Sequence, residues 1–165
     1  MNNMHAGTKA NASQFDSESA SVNGQTIDRS GNKAIADTGT TLCLVSDEVC
    51  EAVYQALGGQ QSSQQQGYVF PTPDSSTTLP QVSFAVGGQQ FIINPQDLAF
   101  QDLGDGTSYG GIQSRGNQDF DILGDVFLRS IYAIFDQGNT RFGAVQRQPG
   151  ASASGTSGSG NSGSN

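Results

Sequence analysis

From Phe15 to Gln146 the chain alternates short apolar runs with Gly, Pro, Asn and Asp, the pattern of strands joined by tight turns. Asn23-Gly24 divides residues 19–26 as a two-residue hairpin turn would, since both residues tolerate the positive φ that such turns require. Strands are predicted over residues 34–37 leading to 41–45, over 79–86 and 89–93 across Gly87-Gly88, over 108–113 and over 131–135. One segment departs from this pattern. Ser46 is a good N-cap, Asp47, Glu48 and Glu51 favour the positive end of a helix, and Val49, Val53 and Leu57 recur every four residues before Gly58-Gly59. A short amphipathic helix is predicted there, and a second over residues 125–129 with Val126 and Leu128 buried. The Gln/Ser run 60–66 is expected to be a surface loop.

The ends lack this pattern. Residues 1–14 are polar and aperiodic, and 148–165 are almost wholly Ser, Gly, Ala and Asn, so neither can offset its ordering entropy by burial. The expectation is one mainly β domain over 15–147 between unstructured ends. Hydrophobic residues at 34%, charged residues at only 13% and 22 glycines fit a turn-rich β chain. Seven basic against fifteen acidic side chains give a net charge of -8, which repels phosphate backbones and excludes a nucleic-acid partner. No apolar run is long enough to span a bilayer, and residues 1–11 lack the apolar core of a signal peptide. Two cysteines, Cys43 and Cys50, are too few for a disulfide scaffold or a four-ligand zinc site, and the single histidine, His5, lies in a polar terminus. A Ser-His or Cys-His mechanism is therefore discounted, and neither metal nor cofactor is expected.

The candidate chemistry lies in Ala34-Ile35-Ala36-Asp37-Thr38-Gly39-Thr40-Thr41-Leu42. A carboxylate follows small apolar residues at a strand end and precedes three threonines and a glycine, which supply hydroxyl donors and an approachable backbone. An isolated buried carboxylate is costly unless neighbours hydrogen-bond it or it shares a proton, and both arrangements serve general acid/base chemistry. From composition alone, an ordinary Asx turn at the strand end is the better account of Asp37.

This passage resembles the active-site turn in the C-terminal lobe of pepsin-like aspartic endopeptidases, particularly the fungal ones. Tyr109-Gly110-Gly111-Ile112-Gln113-Ser114, then Ile122-Leu123-Gly124-Asp125-Val126-Phe127-Leu128-Arg129, follow in that family's order. Tyr132-Ala133-Ile134-Phe135-Asp136 and Arg141-Phe142-Gly143 match its closing strands. The resemblance implies a mainly β lobe of a two-lobed acid protease, with one or two short helices, in which each lobe donates one Asp to a shared dyad. One carboxylate would activate water for attack on a peptide carbonyl while its protonated partner stabilises the oxyanion. Asp37 would be one of the two. By the same resemblance Thr38 braces the lobes, Gly39 lets substrate backbone approach, and Thr40 and Thr41 hydrogen-bond beside the carboxylate. Ile122-Leu123-Gly124 would thread the active-site loop as structural support. Ile112 corresponds to an apolar subsite wall, although a β-branched strand residue is more often plain core. Gly39 and Thr40 complete the implied substrate-binding set, and Asp125 is assigned to capping the following helix rather than to catalysis.

Asp37-Thr38-Gly39 is the only such triplet in the chain, so the second catalytic carboxylate, with the first lobe and its flap, is implied to lie elsewhere. The expected partners are a protein or peptide substrate and an N-terminal lobe carrying a second Asp-Thr-Gly turn. Without that lobe, apolar surface near Thr38 and Ile112 is expected to be uncovered. Two alternatives stay open: a homodimer pairing two Asp37 residues across a symmetric cleft, and a non-enzymatic β module that binds extended peptides. A Cys43–Cys50 bridge is the minor reading, the major one being two small buried hydrophobes. The family resemblance places the parent protein in a secreted, cell-surface or vacuolar setting.

Overall fold

The computed structural model describes residues 13–139 and 141–148. The unstructured ends expected from composition therefore lie outside the described residues, apart from Ser13 and Gln14, which open the first strand, and Gln148. Fifteen strands and two α-helices occupy this span. They are β1 Ser13–Asp16, β2 Ser19–Val22, β3 Gln25–Asp28, β4 Lys33–Ala36, β5 Cys43–Val45, α1 Asp47–Leu57, β6 Gln60–Ser62 and β7 Gly67–Pro71, followed by β8 Val82–Val86 and β9 Gln89–Ile92. A 3-10 turn at Pro95–Leu98 leads to β10 Ala99–Asp102, β11 Thr107–Gly110, β12 Ile112–Ser114, β13 Phe120–Leu123, α2 Asp125–Leu128, β14 Ile131–Asp136 and β15 Arg141–Gln146.

The strands form four sheets, ordered β1-β4-β13-β5-β12, β10-β11-β7-β6, β3-β2-β8-β9 and β14-β15. Parallel pairing is confined to the first, where β13 runs alongside β4 and β12 alongside β5. One core of aromatic and branched residues, including Phe15, Val53, Phe70, Phe84, Phe91, Leu123 and Phe127, joins the elements.

Local chemistry explains most boundaries. Asn23 and Gly24 take φ of 51° and 80°, as the β2–β3 hairpin requires. Gly58 ends α1 in the left-handed conformation at φ 68°. Ser46 is extended and its carbonyl accepts from Val49 and Cys50, yet its hydroxyl makes no capping bond; it is buried without a hydrogen-bond partner.

Three expectations are corrected. The predicted strand 108–113 is two strands in different sheets, broken at Gly111, whose N–H donates to Leu98 and whose carbonyl accepts from Cys43. A Cβ at Gly111 would lie 2.5 Å from the Asp97 carbonyl oxygen, so the crossing needs glycine. Residues 60–66 are not all loop, because Gln60–Ser62 pairs antiparallel with β7 through backbone groups that need no apolar side chain. The strand begun at Leu79 starts only at Val82, after Pro80, which has no N–H to donate.

Candidate active site

Asp37 stands at the end of β4, where the strand leaves the sheet and turns through Thr38 and Gly39. Its backbone N–H donates to the Leu123 carbonyl oxygen at 3.1 Å, extending the parallel β4–β13 ladder by one bond. Its carboxylate closes back on the turn. Oδ1 accepts from the Gly39 N–H at 2.9 Å and Oδ2 from the Thr40 hydroxyl at 2.7 Å, so both oxygens are fixed, the second by a charge-assisted bond. The side chain is half-buried, with Gly39 and Thr38 exposed beside it. The Asx-turn reading is thus correct as a description of the backbone, and the added Thr40 bond orients the whole carboxylate.

The segment after β13 clamps this turn from behind. Gly124 N–H donates to Leu42 at 3.2 Å, Asp125 N–H to Thr40 at 2.9 Å and Val126 N–H to Thr41 at 3.0 Å. A Cβ at Gly124 would fall well inside contact distance of the Thr40 carbonyl oxygen and 2.5 Å from that of Leu42, so only glycine fits between the two strands. A half-buried carboxylate with directed hydroxyl and amide donors, on a loop locked by an adjoining parallel strand, is held in one orientation, which is the geometry that general acid/base chemistry requires.

A family model for eukaryotic aspartyl protease matches residues 3–147. The chain belongs to that family. Among curated relatives, aspergillopepsin-1 of Aspergillus oryzae is 44% identical over 110 residues, covering 66% of this chain and 27% of the relative. Penicillopepsin-1 of Penicillium janthinellum is 43% identical over 115 residues, 68% of this chain and 35% of the relative. Penicillopepsin-1 of Talaromyces stipitatus is 40% identical over 131 residues, 79% of this chain and 33% of the relative. The chain thus spans about a third of the length of these fungal aspartyl proteases.

The residues that resemblance to this family singled out do not all converge on the carboxylate. Gly39 and Thr40 bond it directly, whereas Thr41 takes part through its carbonyl, which accepts from Val126. Thr38 is exposed at the tip. Ile122 is half-buried between Ile35 and Leu44 in the sheet, and Leu123 is buried between Ala36 and Cys43. Ile112 is 1% exposed and covered by the core, as a β-branched residue in an inner strand normally is; it offers no surface to a ligand. The helix N-cap is Gly124, not Asp125, which occupies the first helical turn; no side chain caps the helix. Cys43 and Cys50 are free, both buried, and burial pushes each thiol up to about 12. Ile112 itself contributes no exposed apolar surface; the exposed large apolar side chains among the described residues are Phe100 on β10 and Tyr132, Ile134, Phe135 and Val145 on β14–β15.

A group that composition did not flag sits at the far end of the β4–β13 pair. Asp121, 0% exposed, takes the Arg115 guanidinium on Oδ1 at 2.6 Å and the Arg29 guanidinium on Oδ2, with Asn32 donating to Oδ2 at 3.2 Å. The signal was present. An acid between Phe120 and Ile122 in an inner strand cannot stay charged without partners of this kind. No helix of the described residues is long and apolar enough to cross a membrane.

Proposed function

We propose that this chain supplies one of the two catalytic carboxyls of an aspartic endopeptidase, with Asp37 as that group. The fixed geometry of its carboxylate, held by the Gly39 N–H and the Thr40 hydroxyl, carries the reading. Two carboxyls brought close cannot both ionise, so one takes the proton of an attacking water while the protonated partner donates to the peptide carbonyl oxygen. Water oxygen bonds to the carbonyl carbon, and the tetrahedral species expels the amine as that nitrogen is protonated. Water and the two carboxyls supply every atom and proton transferred, so the reaction balances without a cofactor.

The second carboxyl, in this reading, comes from another Asp-Thr-Gly turn outside the 165 residues. Gly39 and Thr40 line the approach of an extended peptide from the exposed side of the turn, and Thr38 faces the segment that carries the second turn. Ile112 has no part in that surface. The outer face of β14–β15, with Tyr132, Ile134 and Val145 exposed, is where further chain packs. A secreted, cell-surface or vacuolar setting suits an acid-working peptidase of this kind.

The test is hydrolysis of an unfolded protein substrate at acid pH, by the chain alone and by the chain joined to a segment bearing a second Asp-Thr-Gly turn. The joined protein should cleave, and Asp37→Asn should lower its turnover by about 10³-fold or more with the fold intact. Unchanged turnover in that variant removes Asp37 from the chemistry. A rate from the chain alone that rises with the square of its concentration favours a homodimer instead.

A further inference from the structure

We infer that the buried Asp121–Arg29–Arg115 cluster is a positioning device for the Asp37 carboxylate. The inference rests on the reading of Asp37 as the reactive group, but its test does not.

The cluster gathers four separate stretches of chain. Arg29, whose side chain is 4% exposed, follows β3; besides Asp121 it donates to the Ser17 carbonyl oxygen at 3.1 Å and the Ser17 hydroxyl at 3.0 Å. Its guanidinium lies 5.6 Å from the Phe84 ring centroid. Asn32, just before β4, donates to Asp121 and accepts from Arg115 at 2.8 Å. Arg115 follows β12. Both carboxylate oxygens of Asp121 are therefore held from opposite sides, and β13 is pinned to the chain entering β4 and to the chain leaving β12.

The parallel register carries that pinning to the active-site turn. Asp121 lies opposite Ala34 and Leu123 opposite Ala36, so the pinned residue and the carbonyl that receives the Asp37 N–H are two positions apart on one strand, roughly 7 Å. The next three residues of the same strand and its continuation, Gly124, Asp125 and Val126, make the bonds to Leu42, Thr40 and Thr41. Gly124 has no clearance between Thr40 and Leu42, so a small slide of β13 cannot be absorbed there and must displace Thr40, whose hydroxyl holds Oδ2. A buried ion group is a poor source of net stability and a good source of register, because its geometry is satisfied at one strand offset only. The Arg29 Nε, buried without a hydrogen-bond partner, shows that the group is not arranged to maximise bonding.

Amide hydrogen exchange on the full chain tests this directly. In Asp121→Asn, protection should fall about 30-fold or more at Asp37, Gly124, Asp125 and Val126, with less than about threefold change in the β7–β11 pair and in α1. Since that variant leaves two guanidiniums facing an amide and can unfold, the second protein is Arg29→Met/Arg115→Met/Asp121→Leu, which restores an apolar fill. It should fold, and should still lose protection at the same four amides. Retained protection there in the folded triple variant overturns the proposal. So does a loss confined to Ser17, Asn32 and Arg115, the amides beside the cluster, which marks a merely local structural role. Neither outcome bears on whether Asp37 is catalytic, which the peptidase assay decides.

Discussion

The Asp37 N–H and the Leu123 carbonyl oxygen, 3.1 Å apart, are the last rung of the parallel β4–β13 ladder. Beyond it the two strands diverge, one into the turn that holds the carboxylate and the other into the glycine that wedges behind it. The Asp37 turn is thus a strand end held from two sides, and the orientation of its carboxylate depends on how closely those sides fit.

Gly124→Ala tests that fit. The added methyl would meet the carbonyl oxygens of Thr40 and Leu42, backbone atoms that cannot move without breaking the bonds they accept from the Asp125 and Gly124 N–H groups. A destabilisation of about 3 kcal/mol is expected from overpacking at a site that cannot relax. Urea unfolding measures it, and a midpoint equal to that of the parent would show that the thread is looser than its contacts imply.

Thr40→Val removes the hydroxyl that bonds Oδ2 while keeping the shape of the side chain. Loss of one hydrogen bond to a carboxylate costs about 1.5–3 kcal/mol. In the joined two-turn protein kcat should fall by about tenfold or more, and Thr40→Ser, which keeps the oxygen, should recover most of it. Equal activity of the valine and serine variants would mean that the hydroxyl does not orient the carboxylate.

The buried thiols give a prediction about alkali. Burial raises Cys43 and Cys50 from 9.0 to about 12, and Tyr54 shifts upward for the same reason. Above pH 9 the unfolded chain releases thiol protons that the folded chain retains, so the unfolded state binds fewer protons and stability falls as pH rises. The slope is about 1.4 kcal/mol per pH unit for each thiol between pH 9 and about 12. Below pH 9 the thiols contribute no slope. Denaturant midpoints at pH 8, 9.5 and 10.5 should decline in that order for the parent and less steeply for Cys43→Ala/Cys50→Ala. At pH 8 neither thiol should react with a disulfide reagent until the chain is unfolded.

How much of this was legible in the residues varies with the physics of each part. The hairpin at Asn23-Gly24 and the helix ending at Gly58 were, because local backbone preference decides them. The motif around Asp37 and the threading glycine at Gly124 were legible by family resemblance, since only a few residue types fit such close approaches. The break at Gly111 was not, because Ser108 to Gln113 alternates like one strand and only the tertiary crossing separates its halves. β6 was hidden in a glutamine run, where backbone pairing leaves no trace in hydropathy. The partners of Asp121 come from Arg29 and Arg115 on distant stretches, and a single sequence gives no means of pairing them.

The outer face of β14–β15 gives the last prediction. Tyr132 and Val145 are cross-strand partners, and Ile134 lies two residues on from Tyr132, so all three share one face; they are 60%, 54% and 56% exposed. Arg147 lies 5.4 Å from the Tyr132 ring centroid and shields part of it, leaving the aliphatic pair open. The opposite face packs inward through Phe142, which is buried and stacked on Phe15 at 5.1 Å, while Phe135 at its edge, 5.2 Å from Phe142, remains 38% exposed. Gln146 ties the pair to the rest of the lobe by accepting from the Ile92 N–H at 2.7 Å and donating to the Ile92 and Ser130 carbonyls. The sheet therefore folds without covering its outer face, and a twisted two-stranded ribbon with apolar residues outward invites pairing with another copy. Sedimentation of the chain should show a mean mass that rises with concentration, and Ile134→Lys/Val145→Lys should hold it at the monomer without changing the unfolding midpoint by more than about 1 kcal/mol, since only solvent-facing atoms change. Association that persists in the double variant would place the sticky surface elsewhere, whereas a parent that stays monomeric at high concentration would show that this apolar face is covered by the chain itself.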